Sequence, residues 1–122
     1  MKNLVSRMNK TLLTVTLIIA GLTALPSIAS AGWFSCTPNE VLEVDNRIHV
    51  RCSNSVVLDG NTIRYIAIAK TDESKAARFI SLGTSALLSG KIFQVYIPTA
   101  SSTNVSGCAA TDCRTPTSFG VK

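Results

Sequence analysis

Val56 to Ile97 reads VVLDGNTIRYIAIAKTDESKAARFISLGTSALLSGKIFQVYI, and this stretch decides the fold class. Asp59-Gly60-Asn61 stands between two apolar runs. Asp-Gly supplies the positive-φ positions of a tight reversal, so the segment predicts a hairpin. Its second strand, Thr62 to Lys70, is apolar at Ile63, Tyr65, Ile66, Ala67, Ile68 and Ala69, and both faces are covered as in a central strand. From Thr71 to Ser89 the period changes. Ala76, Phe79, Ile80, Gly83, Ala86 and Leu87 recur at helical spacing. Thr71 or Asp72 caps the start, where Asp72 and Glu73 suit the helix dipole, and Gly90 ends it. Gly83 costs about 1 kcal/mol against alanine, so its presence in the apolar stripe predicts close packing on a sheet. Lys91 to Ile97 is a further strand, with Phe93, Val95 and Ile97 on one face and Ile92, Gln94 and Tyr96 on the other.

Upstream, Glu40 to Val44 and Arg47 to Cys52 read as two strands. A three-residue turn, Asp45 to Arg47, sets Leu42 and Val44 on the face of Ile48 and Val50, leaving Glu43, His49 and Arg51 on the polar face. Residues 32–39 read as an irregular lead-in, 99–107 as a polar loop, Cys108 to Cys113 as a short clipped segment, and the end as a loose tail anchored by Phe119. The order is three strands, a helix, a strand and a short strand. It predicts an α+β, mainly β domain: a small five-stranded OB-fold-like barrel with one helix between strands 3 and 4.

Residues 1–31 stand apart. Lys2, Arg7 and Lys10 precede the uncharged run Thr11 to Leu25, then Pro26 and SIASA, with Ala29 and Ala31 in the small-x-small pattern of a cleavage site. The alternative, a membrane anchor, needs about 20 apolar residues, more than this run supplies. The reading is a bacterial signal peptide cleaved after Ala31, no membrane insertion thereafter, and a secreted or periplasmic domain over 32–122. The net charge of +5 shrinks accordingly. Without Lys2, Arg7 and Lys10, nine Lys/Arg face seven Asp/Glu, a net of +2. That balance gives no basic footprint for nucleic acid.

All four cysteines lie in 32–122. An even count in a small exported domain reads as a disulfide framework. Of the three pairings, Cys36–Cys52 and Cys108–Cys113 are favoured because each pair is close in sequence. Zinc is disfavoured: the spacings are not C-x2-C pairs and His49 is the lone histidine. No metal or cofactor motif is present. His49 reads as a solvated cross-strand neighbour of Glu43 rather than a catalytic base. The carboxylates Glu40, Glu43, Asp45, Asp59, Asp72, Glu73 and Asp112 fall at turns, the helix start and exposed strand positions. Capping and solvation account for them. Asn104-Val105-Ser106 matches a glycosylation acceptor by chance. The sequence therefore reads as a non-enzyme.

Cys52, the Asp59-Gly60-Asn61 hairpin, Thr62 to Ala69, the AARF of Ala76 to Phe79, SGKIFQVYI (Ser89 to Ile97) and CAATDC (Cys108 to Cys113) together resemble the B subunit of subtilase cytotoxin and related pentameric-B bacterial toxins, over about residues 52–115. The resemblance implies a ring of five OB-fold subunits that binds cell-surface glycans, often sialylated, and carries a separate A subunit. It implies a sugar contact at Tyr96, where a half-buried strand aromatic is the plainer reading, and assigns Ser35 as the nearest candidate for a serine contact near the mature N-terminus. The chain departs from the family where Ala67 offers no thiol to Cys52, so Cys36 must serve from upstream. The rival function is a stand-alone periplasmic or secreted structural or interaction protein with no A subunit.

Overall fold

The computed structural model describes residues 31–122. The signal-peptide reading, residues 1–31, lies outside that range except for Ala31. The described chain is mainly β with one helix. Its elements are β1 (Gly32–Cys36), β2 (Pro38–Val44), β3 (Arg47–Leu58), β4 (Asn61–Ala69), α1 (Glu73–Ser89), β5 (Phe93–Ile97), β6 (Cys113–Arg114) and β7 (Ser118–Val121).

They form two sheets, β1-β5-β7 and β2-β3-β4-β6. All pairs are antiparallel except β4 with β6. Among the described residues the strands do not close into a hydrogen-bonded barrel, and the helix follows the fourth strand rather than the third. The two sheets share chain at both margins. Only Thr37 separates β1 from β2, and only residues 115–117 separate β6 from β7.

The central hairpin forms as the sequence dictates. Asp59 (φ 49°) and Gly60 (φ 73°) occupy the left-handed region and pair Leu58 with Asn61. Asp72 caps α1 by accepting from the Lys75 N–H at 3.0 Å, and Gly90 closes it with φ 66°. Ala76, Phe79, Gly83 and Ala86 are its buried positions. A Cβ on Gly83 would lie 3.0 Å from Val50 Cγ2, so the glycine sets how closely the helix approaches β3. Phe79 packs edge-on against Phe93 and Phe119 at 5.3 and 5.0 Å between ring centroids, above Ile48, Val50, Ile63, Ile66 and Ile68.

Four further expectations change. Residues 32–39 are not an irregular lead-in. Phe34, Cys36 and Pro38 alternate inward as strand positions. The turn after Val44 has two residues, not three. It pairs Val44 with Arg47, Glu43 with Ile48 and Leu42 with His49, so His49 faces Leu42 rather than Glu43. A one-residue change of register reverses which side chains share a face. Arg47 to Leu58 is one strand whose pairing with β4 shifts between Arg51 and Val56, absorbing polar Ser53, Asn54 and Ser55. The tail is strand β7, because Phe119 completes the aromatic cluster and the edge of β5 needs backbone partners.

The two disulfides are Cys36–Cys52 and Cys108–Cys113, as spacing favoured. Two such bridges point to a compartment outside the reducing cytoplasm. Among the described residues no helix is long and apolar enough to cross a membrane.

Candidate functional site

The outer face of the three-stranded sheet gathers the residues singled out from sequence. In β1 the alternation that buries Phe34 and Cys36 turns Trp33 and Ser35 outward. In β5 the alternation that buries Phe93, Val95 and Ile97 does the same for Gln94 and Tyr96. Register then sets Trp33 opposite Tyr96 and Ser35 opposite Gln94. The candidates Tyr96 and Ser35 are diagonal neighbours on one surface. Continuing across β5, Tyr96 faces Ser118 and Gln94 faces Gly120, where a Cβ would meet open space.

Trp33 is 62% exposed, second among the described large apolar side chains after Leu88. Its ring meets Tyr96 edge-on, 5.5 Å between centroids at 79°. Gln94 Nε2 donates to Ser35 Oγ at 2.5 Å. That bond leaves the serine hydroxyl hydrogen, the second amide hydrogen and the amide oxygen free to meet a ligand.

The surface is braced from the polar bulge in β3. Asn54 Nδ2 donates to Ser35 O at 2.6 Å, and Thr37 N–H donates to Asn54 Oδ1 at 2.8 Å. Ser53 N–H and Oγ both donate to Thr37 O. Cys36–Cys52 adds a covalent tie at the same corner, and Thr117 N–H donates to Tyr96 O on the other side. Trp33 and the bracing Asn54 were not singled out from sequence. The signal for Trp33 was the W-F-S-C alternation itself, inside the 32–39 stretch read as an irregular lead-in.

Of the groups considered for catalysis, His49 and Glu40 lie on the outer face of the four-stranded sheet, and Glu43 lies on its helix side with Ile48. His49 Nε2 accepts from Arg47 Nε at 2.5 Å. A guanidinium can only donate, so Nε2 is unprotonated and Nδ1 carries the hydrogen. Burial, then the Arg47 charge, hold the His49 pKa below its ordinary value of 6.5, against the opposing pull of Asp112 and Glu40. The imidazole is engaged by an arginine, not by a hydroxyl or thiol nucleophile. Glu43 pairs with Lys70 at 2.5 Å and Glu40 with Arg51 at 3.9 Å. Among the described residues no group of three His, Cys, Asp or Glu could hold a metal ion.

Arg114 carries a role no motif marks. It is 1% exposed, and its guanidinium donates to the carbonyls of Thr99, Ala110 and Cys113. These bonds compensate the buried charge and fix the loop between β5 and β6.

No protein-family model, curated protein or solved structure matches the chain.

Proposed function

We propose that the chain is a secreted, non-catalytic carbohydrate-binding protein, similar to the binding subunit of an AB-type toxin. The outer face of Trp33, Ser35, Gln94 and Tyr96 is its glycan site. One observation carries the reading: an exposed tryptophan, held edge-on to a tyrosine, beside a hydrogen-bonded serine–glutamine pair on rigid strands. The apolar C–H face of a sugar ring packs on indole or phenol, while amide and hydroxyl groups read its hydroxyls. Placing such a face on a disulfide-tied sheet avoids the cost of ordering it on binding.

The OB-like reading draws support from the shared margins. Taking residues 32–44 as one bent strand and 113–121 as another reduces the seven strands to five. The helix then falls between the third and fourth, and the last strand lies parallel to the third. Assembly draws support from the same bent strand, since β1 and β2 each lie at the edge of a sheet, with only the backbone at Ser35 and Thr37 taken up by Asn54 and Ser53. Such an edge is a template for a second copy, and a ring would let weak sugar sites act together. The rival, a stand-alone exported interaction protein with no A subunit, is favoured by the staple at Cys36–Cys52, which departs from the family's cysteine pattern.

The test is a glycan array probed with mature, oxidised protein beside Trp33→Ala, with solution mass measured by light scattering. Binding at high micromolar concentration or tighter, lost at least tenfold in Trp33→Ala, supports the reading. Absence of binding across neutral and acidic glycans contradicts it. A pentamer favours the toxin-like ring and a monomer the rival.

A further inference from the structure

A second cleft, of about 350 Å³, lies on the other sheet. It is lined by Glu40, Leu42, His49, Tyr65 and Asp112 and edged by the loop through Gly107 and Cys113. The strands supply its floor. His49 is paired with Leu42 on one side and Ala67 on the other, with Tyr65 two residues along β4 from Ala67. The His49 and Tyr65 rings are 5.9 Å apart. The loop supplies its wall, clipped by Cys108–Cys113 and by backbone bonds from the Arg64 and Tyr65 N–H groups to Asp112 O. Gly107, at φ 84°, lets the loop pass over the Arg47 guanidinium where a Cβ would overlap it.

The chemistry of this lining selects a class of ligand. Glu40 and Asp112 are acceptors. The His49 Nδ1–H is a donor, because Arg47 occupies Nε2. The Tyr65 hydroxyl does either. Arg51 lies 3.9 Å from Glu40 and 5.9 Å from the Tyr65 ring centre, and Arg47, bonded to His49, lies against Gly107 at the rim. The formal charges around the cleft therefore cancel. An anion meets two carboxylates, and a cation finds no use for the imidazole donor. A neutral hydroxyl both donates and accepts, and aromatic rings beside it suit a ring's C–H face. The volume lies at the small end for ligand pockets, room for one ring rather than a chain.

We infer that this cleft is a second binding site, for a single uncharged, hydroxyl-rich ring such as a neutral pyranose, with Asp112, Glu40, His49 and Tyr65 as its contacts. It stands on its own lining and does not depend on the Trp33 face.

The aromatic inventory makes the test direct. The chain has one histidine, one tryptophan and two tyrosines. His49 and Tyr65 report on this cleft, and Trp33 and Tyr96 on the other face. Mature oxidised protein is titrated with methyl galactoside, methyl glucoside and methyl mannoside while ring resonances are followed by NMR, with choline and acetate as charged controls. The inference expects saturable shifts of His49 and Tyr65 with at least one pyranoside, weakened at least fivefold in Asp112→Asn and in Glu40→Gln. The second variant guards against misfolding of the first. Trp33 Nε1–H dispersion is the check that each is folded. A His49 ring unmoved by every pyranoside, or moved as much by choline or acetate, overturns the inference. Shifts confined to Trp33 and Tyr96 overturn it too, while leaving the proposed function standing.

Discussion

The two outer faces of this small protein are built by opposite means. On the three-stranded sheet, Trp33, Ser35, Gln94 and Tyr96 stand on bare strands. Their positions follow from period-2 alternation and one register. On the four-stranded sheet, His49 and Tyr65 also stand on strands, yet their cleft exists only because a loop returns sixty residues later to wall it. The first face is open and aromatic. The second is recessed, with charges arranged in balance. Sheet geometry alone makes a platform. A recess needs a wall, and here the wall is held by a disulfide, a left-handed glycine and the buried cation Arg114.

The two disulfides separate the faces most sharply. Replacing Cys36 and Cys52 with serine opens a loop of sixteen-residue separation and should cost about 3 kcal/mol by chain entropy. Replacing Cys108 and Cys113, five apart, should cost about 2 kcal/mol. Urea melts give the totals. The comparison is sharpened by where order is lost: Trp33 and Tyr96 resonances should broaden in the first variant, His49 and Tyr65 in the second. Equal broadening of all four rings in both variants would break it.

Gly107→Ala comes next. The residue must hold φ 84° and displace the Arg47 guanidinium, which together should destabilise by about 1–3 kcal/mol. Thermal denaturation measures the loss, and the His49 ring should shift as Arg47 leaves it. Trp33 should not move.

The smallest effect is one of pH. Facing His49 are Arg47 on its own strand, Glu40 on β2, Tyr65 on β4 and Asp112 on the loop. Its pKa in the folded chain lies below 6.5, so the unfolded chain takes up the proton first. Stability therefore holds above that value and falls as pH drops through and below 6.5. Melting temperature followed from about pH 8 to pH 5 should show this loss in the parent protein and a flatter profile in His49→Gln. The glutamine still accepts from Arg47 but does not titrate.

Legibility in the sequence follows the same division. The hairpin at Asp59-Gly60, the capped helix and the strand at Phe93 are local signals, written in turn chemistry and period, and each forms where its residues predict. Tyr96 was singled out by the resemblance, and alternation in its strand only set which residues share its face. Trp33 was missed because the strand carrying it is five residues long and is joined by a single residue to a strand of the other sheet. Choosing between a two- and a three-residue turn at Asp45 was beyond pattern alone, since both keep hydrophobics paired in part. The tail's role needed the aromatic cluster of Phe79 and Phe93, which sequence separation hides. Arg114 is the least legible. A lone arginine near the end of a chain announces nothing until three carbonyls converge on it.

The central claim is that sugar binds on the Trp33 face, and the chain's single tryptophan allows one direct measurement. Its emission is followed while oxidised protein is titrated with the strongest glycan from the array, with calorimetry run in parallel. The account expects a saturable blue shift or quench that tracks the heat, because a ring packed on Trp33 removes water from an indole now 62% exposed. Saturable heat with an unmoved emission spectrum would contradict it and place the glycan on another surface.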